Sequence, residues 1–236
     1  MAEKMTIGIM QPYFLPYLPY WQLLNAVDKY VIYDDVNYIK GGFINRNTIL
    51  LDGKERYIHL ELHGASSFKL IKEIKVDCSP RIIRKNLNLV YHAYKKAEYF
   101  DKVYPLIEEI FTYADDNLAS YLTNSIKLIC DYLAIKTELI LSSTIPKDNS
   151  LQGVEKVLAI ARILQATDYL NAIGGQELYS KEIFAANKIN LQFLQAGNIR
   201  YQQFTSDFKP NLSILDILMH CSTEQIQGFL GNYSLA

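Results

Sequence analysis

MTIGIMQPYFLPYLPYWQLLNAVDKYVIYDDVNYIKGGFINRN, residues 5–47, holds two short apolar runs in a polar and aromatic frame. Thr6–Met10 predicts a first strand that stops at Gln11-Pro12. Lys29–Asp34 predicts a second strand that stops at the carboxylate pair Asp34-Asp35. Between them Pro19 suits the first turn of a helix over Pro19–Ala26, because a first turn leaves its N–H groups unused and proline has none to lose. A strand–helix–strand order this short requires a right-handed crossover, hence parallel pairing. In open sheets of this kind ligands sit beyond the carboxyl ends of the strands, so the segment also predicts a site.

Working outward, Asn47–Leu51 and Lys54–Leu62 flank Asp52-Gly53, a hairpin signal of type I′. Ile58, Leu60 and Leu62 alternate with Tyr57, His59 and Glu61, so one face is inward and His59 falls on the wet one. A short strand is expected near Ile71–Val76. Ser79-Pro80 then opens an amphipathic helix over Pro80–Ala97. Helices over Val103–Tyr113 and Leu118–Leu133 complete a helical insertion of about residues 79–134. From Lys136 the alternation resumes: strand Glu138–Leu141, helix Gly153–Gln165, strand Asp168–Ile173 and helix Glu177–Ala186. Strands Asn190–Phe193 and Arg200–Phe204 follow, then helices Ser213–His220 and Thr223–Leu230. The expectation is one α/β domain over residues 1–236: a Rossmann-like, doubly wound, mostly parallel sheet with a β-hairpin excursion at about 47–62.

Composition narrows the function. Lys+Arg 24 against Asp+Glu 25 leaves a formal charge of −1, which argues against a duplex nucleic-acid partner while leaving room for a local basic groove. Cys78, Cys130 and Cys221 form no CxxC pair, and His59, His63, His92 and His220 show no ligand spacing, so no protein-bound metal is expected. Magnesium arriving with a nucleotide remains open. Pro12, Pro16 and Pro19 break any signal-peptide core and no run is long enough to span a membrane, so a soluble cytoplasmic protein is expected. A homo-oligomer is compatible with all of this.

The candidate chemistry gathers at predicted strand ends. Asp34 and Asp35 are the candidate catalytic carboxylates, able to orient a substrate amine or act as base. Adjacent side chains on extended backbone diverge, so only one can face a given pocket. Lys40, Gly41, Gly42, Asn45, Arg46 and Asn47 bring an ammonium, a guanidinium and flexible backbone amides into eight residues, a set suited to phosphate or carboxylate. A surface loop is the alternative. Gly174-Gly175 and Ser143 follow later strands, where tight turns explain them nearly as well. Asn171 points toward the same region, and Gln11, Tyr13 and Tyr17 follow the first strand, where aromatic rings can stack on a sugar or base. No Ser-His-Asp set, GxSxG elbow or HExxH helix is present.

At QPYFLPY (11–17), YDDVNYIKGGFINRN (33–47), LNAIGGQELY (170–179) and FKPNLSILDILMH (208–220) the chain resembles the WbqC-like family. Ala172 departs from the proline expected before the glycines. The resemblance implies a role in bacterial surface-polysaccharide biosynthesis of the O-antigen type: a transferase acylating or aminoacylating a nucleotide-activated amino sugar, the small-molecule partner. A non-catalytic accessory protein that binds a sugar nucleotide is the alternative. The early turn is also similar to that of nucleotidylyltransferases, but Tyr17-Leu18-Pro19-Tyr20 stands where those enzymes carry HxGH, so only a degenerate member of that group is implied.

Overall fold

The computed structural model describes residues 4–236. In chain order the elements begin β1 (Thr6–Met10), α1 (Leu18–Asn25) and β2 (Lys29–Ile32). The excursion that follows contains β3 (Arg46–Leu51), β4 (Lys54–His59), β5 (Leu62–His63), β6 (Lys75–Val76), α2 (Pro80–Tyr94), α3 (Phe100–Phe111) and α4 (Leu118–Tyr132). The chain returns with β7 (Glu138–Leu141), α5 (Gly153–Ile163), β8 (Asp168–Ala172), α6 (Lys181–Ala186) and β9 (Asn190–Ala196), and ends with α7 (Ile214–His220), α8 (Thr223–Leu230) and β10 (Tyr233–Leu235).

The central sheet has the order β10-β9-β8-β1-β2-β7. All its pairings are parallel except β9 with β10. The chain builds outward from β1 to β2 and β7, then crosses back to β8 on the other side of β1. The direction therefore reverses between β1 and β8. Side chains alternate across the pleat: Ile7, Ile9 and Val31 enter one apolar cluster with α5 and α6, while Tyr30 and Ile32 enter the other. That second cluster takes in α1, the hairpin, the helical excursion and α7–α8 without a break. Strands buried on both faces explain the continuous apolar runs of the sequence. Among the described residues no helix is long and apolar enough to cross a membrane.

Several local expectations need correction. Asp52 and Gly53 have φ of +51° and +71°, as a type I′ turn requires, but the second hairpin arm ends at His59. Leu62 leaves the hairpin and pairs with Val76 instead. Residues 71–73 form a 3₁₀ turn rather than a strand. Helix α6 begins only at Lys181, where the Ser180 hydroxyl caps it. Arg200–Phe204 forms no strand, because the C-terminal β10 already occupies the free edge of β9, pairing Tyr233 with Ala196. The segment is held by its side chains instead: Tyr201 Oη and Gln203 Nε2 donate to the fully buried Asp216 carboxylate at 2.7 and 3.1 Å.

Candidate functional site

A cleft of about 460 Å³ opens beyond the carboxyl ends of β1, β2 and β8, at the point where the sheet order reverses. Gln11 enters it from the end of β1, Tyr33 from the end of β2, Asn171 from β8, and Gly174 and Gly175 from the turn after β8. Tyr13, Tyr17 and Tyr20 line it from the segment into α1, and Tyr179 closes the β8 side. Among the described residues no Asp, Glu, Lys, Arg or His lines this cleft. Burial pushes the phenols of Tyr13, Tyr17, Tyr20, Tyr33 and Tyr179 up, the carboxylate of Asp35 adding to the effect on Tyr33. The cleft is therefore uncharged at neutral pH and presents hydroxyls and ring faces.

Packing fixes these rings. Tyr13 lies 5.6 Å from Tyr20 and 6.2 Å from Phe43, while Tyr20 meets the buried Tyr30 edge-on at 5.5 Å. The Lys156 ammonium stands 5.1 Å from the Tyr33 ring centroid. Asn171 is buried, and its Oδ1 accepts from its neighbour Ala172 N at 2.8 Å; its Nδ2 donates to no group among the described residues. Gly175 exists to make room for it. A Cβ there would lie 2.5 Å from Asn171 Nδ2 and 3.0 Å from Cγ. Gly175→Ala is expected to cost about 1–3 kcal/mol through overpacking. In the double variant with Asn171→Ala, stability should return while ligand binding in the cleft does not; urea midpoints and ligand-induced melting shifts measure the two separately. Full stability in Gly175→Ala alone would contradict the steric account.

The Lys40-to-Asn47 loop divides its residues. Ile39 faces the cleft, while Lys40, Gly41, Asn45 and Arg46 line a separate, shallower basin of about 420 Å³ with Tyr38, Tyr57 and His59. The Arg46 guanidinium donates to Gly41 O and lies 4.5 Å from the Tyr57 ring centroid. Asn45 is spanned by protein partners, accepting from Tyr38 Oη at 2.8 Å and donating to Leu60 O at 3.0 Å. Gly42 is half-buried and lines neither cavity. Asn47 is internal: its Nδ2 donates to Phe14 O and Leu15 O at 3.2 and 2.9 Å.

The two carboxylates diverge and neither lines the cleft. Asp34 accepts from Ser143 N at 2.9 Å and Ser143 Oγ at 2.5 Å, joining the ends of β2 and β7. Asp35 is clamped between Lys147 Nζ at 2.8 Å and Lys156 Nζ at 3.1 Å, all three side chains being almost wholly buried. Burial pushes the Asp35 carboxyl up, but hydrogen bonds from Lys147, Ser142 and Lys156 and the Lys156 charge outweigh it and hold the group below the usual carboxylate range. Sequence reasoning missed both lysines, which lie more than a hundred residues away, and Tyr33 and Tyr179, which sit inside segments it had singled out. No group of three His, Cys, Asp or Glu that could hold a metal occurs among the described residues.

Two comparisons bear on this arrangement. The model of the family described as "WbqC-like protein family" matches residues 11–228, which takes in every residue that lines the cleft and the basin except Ile9 and Met10. A Mycobacterium tuberculosis protein described as "Uncharacterized protein Rv1507c" is 25% identical over 226 residues, covering 92% of this chain and 94% of its own. No solved structure matches the chain.

Proposed function

The chain belongs to the WbqC-like protein family, and from that premise we propose that it is a transferase of bacterial surface-polysaccharide biosynthesis that acylates or aminoacylates a nucleotide-activated amino sugar. The observation that carries this proposal is the division of charge. The uncharged, tyrosine-lined cleft suits a sugar ring, whose C–H faces pack on aromatic rings and whose hydroxyls meet Gln11, Asn171 and the phenols. The adjacent basin offers Arg46 and Lys40 for the anionic part of the same molecule. The strand order corresponds to the 3-2-1-4-5-6 order of Rossmann-like sheets, with the cleft at the switch point, and we read the chain as one such domain acting in the cytoplasm.

Gln11, Tyr13, Tyr17 and Asn171 orient the sugar in this scheme, with the backbone at Gly174 and Gly175 left open toward it. Lys40, Gly41, Asn45 and Arg46 surround the anion, Gly42 serves the turn of the loop without lining the basin, and Asn47 anchors the loop. Asp34 and the Ser143 hydroxyl that it holds line neither cavity, and Asp35 is already neutralised by two ammonium groups, so neither carboxylate is placed to take a substrate proton directly. One observation favours a second reading, a binding protein that hands a sugar nucleotide to a partner enzyme: among the described residues no carboxylate, imidazole, amine or thiol lines the cleft.

Thermal-shift measurements test the proposal. A nucleotide sugar at a hundredfold excess over its Kd should add about 2.7 kcal/mol of stability, a rise of roughly 5–10 °C for a chain of this size. Arg46→Ala should abolish most of that rise and His59→Ala should keep it. Should no nucleotide sugar move the melting point, the proposal fails. Turnover of the amine in the presence of an acyl donor separates the transferase from the carrier.

A further inference from the structure

Helix α2 and the turn that follows it carry the chain's most uneven charge. Five of the chain's 24 Lys and Arg fall between residues 80 and 97, with no Asp or Glu among them, so the rest of the chain carries 19 cations against 25 carboxylates. At 3.6 residues per turn Arg81, Arg84, Lys85, Asn88, His92, Lys95 and Lys96 fall within an arc of about 120°. All seven are exposed. The opposite face, Ile82, Val90, Ala93 and Tyr94, is buried in the core. The result is a cationic stripe about 22 Å long on a helix that cannot turn over.

The stripe is largely unneutralised. Lys85 pairs with Glu61 at 3.0 Å, and the other four cations have no carboxylate within ion-pair distance among the described residues. At its C-terminal end His92, Lys95 and Lys96 line a depression of about 680 Å³ with the hairpin turn at Asp52-Gly53. Two exposed aromatic rings border the stripe: Tyr91, with Lys95 Nζ 5.5 Å from its centroid, and Phe204, which lines the depression and is half-exposed.

We propose that the exposed face of α2 docks the protein on an anionic phospholipid surface. Charge complementarity supplies the attraction, at about 1 kcal/mol for each Lys or Arg near such a surface. The aromatic rings stand at the margin of the cationic arc, where interfacial rings anchor at the headgroup level, rather than between the cations, where nucleic-acid bases would stack. Because the apolar face of α2 is already used in the core, the contact is peripheral and reversible, without insertion of the helix. The basin at Arg46 is a separate feature, and docking does not depend on what the cleft binds.

Vesicle co-sedimentation of the full chain tests this. Vesicles of phosphatidylcholine with about one-third phosphatidylglycerol should retain the protein at about 0.01 M salt and release it at about 1 M, as the screening length falls from ~30 to ~3 Å. Pure phosphatidylcholine should not retain it. Lys95→Gln with Lys96→Gln should weaken retention roughly 30-fold, two such contacts at tenfold per 1.4 kcal/mol. Lys181→Gln with Lys188→Gln, an equal loss of charge on the other face of the sheet, should change it little. Melting temperatures confirm that both variants fold. The proposal is overturned by equal retention on neutral vesicles, by an equal loss in the control variant, or by single-stranded nucleic acid displacing the protein from the vesicles through the same two lysines.

Discussion

Replacing Asp35 by alanine is expected to destabilise the fold by about 3–5 kcal/mol, the loss that follows when one partner of a buried ion pair is removed. Lys147 and Lys156 reach Asp35 at 2.8 and 3.1 Å with side chains 0% and 6% exposed, so neither ammonium has water to turn to. Lys156 also donates to the Asp35 carbonyl at 2.7 Å, and Lys147 to Ser142 O, which ties the loop after β2 to the region between β7 and α5. A triple variant with Asp35→Leu, Lys147→Met and Lys156→Met separates stranded charge from net benefit. It should recover most of the stability, since apolar side chains of similar size often match a buried ionic cluster. The pH dependence has a fixed sign. The Asp35 carboxyl titrates below its unfolded value, so its contribution is complete above pH ~3.9 and is lost as pH falls through the lower folded value. Wild type and Asp35→Asn should therefore converge in stability as urea midpoints are followed down below pH ~4. A gap that widens in acid contradicts the assignment.

The same residues show what a sequence discloses. Period and punctuation located β1, β2, β7 and β8 to within a residue or two, because buried parallel strands need unbroken apolar runs and helix caps need particular residues. Gln225 with Ser222 at α8 is local chemistry of this kind, whereas the Ser180 cap goes unread and the sequence places the start of α6 at Glu177. Failures arose where a distant segment decided the outcome. Arg200–Phe204 alternates like a strand, but β10 takes the edge it needed. Asp34 and Asp35 were legible as polar residues after a strand. Their partners Ser143, Lys147 and Lys156 lie 109 to 121 residues on, and only the sheet order brings them there. The loop at 39–47 was legible as polar, yet its alternation between two cavities depends on a turn with Gly41 at φ +74°.

Asn47 is where loop and cleft are mechanically one, and Asn47→Ala is expected to cost about 1–3 kcal/mol and to weaken ligand binding in a cleft that Asn47 does not touch. Its amide nitrogen holds Phe14 O and Leu15 O, and its Oδ1 accepts from Thr48 N at 2.8 Å. Leu15 sits at φ +43°, a left-handed conformation that a side chain of its size adopts only under constraint. Ser213 Oγ also donates to Leu15 O at 2.8 Å, and Ile214 N to Pro16 O at 3.0 Å, so α7 braces the same turn. Removing the Asn47 amide leaves the buried Phe14 carbonyl without the donor it had, a loss of about 1–3 kcal/mol. It also frees a strained turn whose neighbours Tyr13 and Tyr17 form one wall of the cleft. Asn47→Asp should be worse than alanine, because it sets a carboxylate against two carbonyl oxygens. Urea unfolding gives the stability, and titration of a nucleotide sugar at saturating protein stability gives the affinity. A direct ligand contact predicts lost affinity at unchanged stability; a purely remote structural role predicts the reverse. Only the two losses together support a residue that positions the cleft wall from behind.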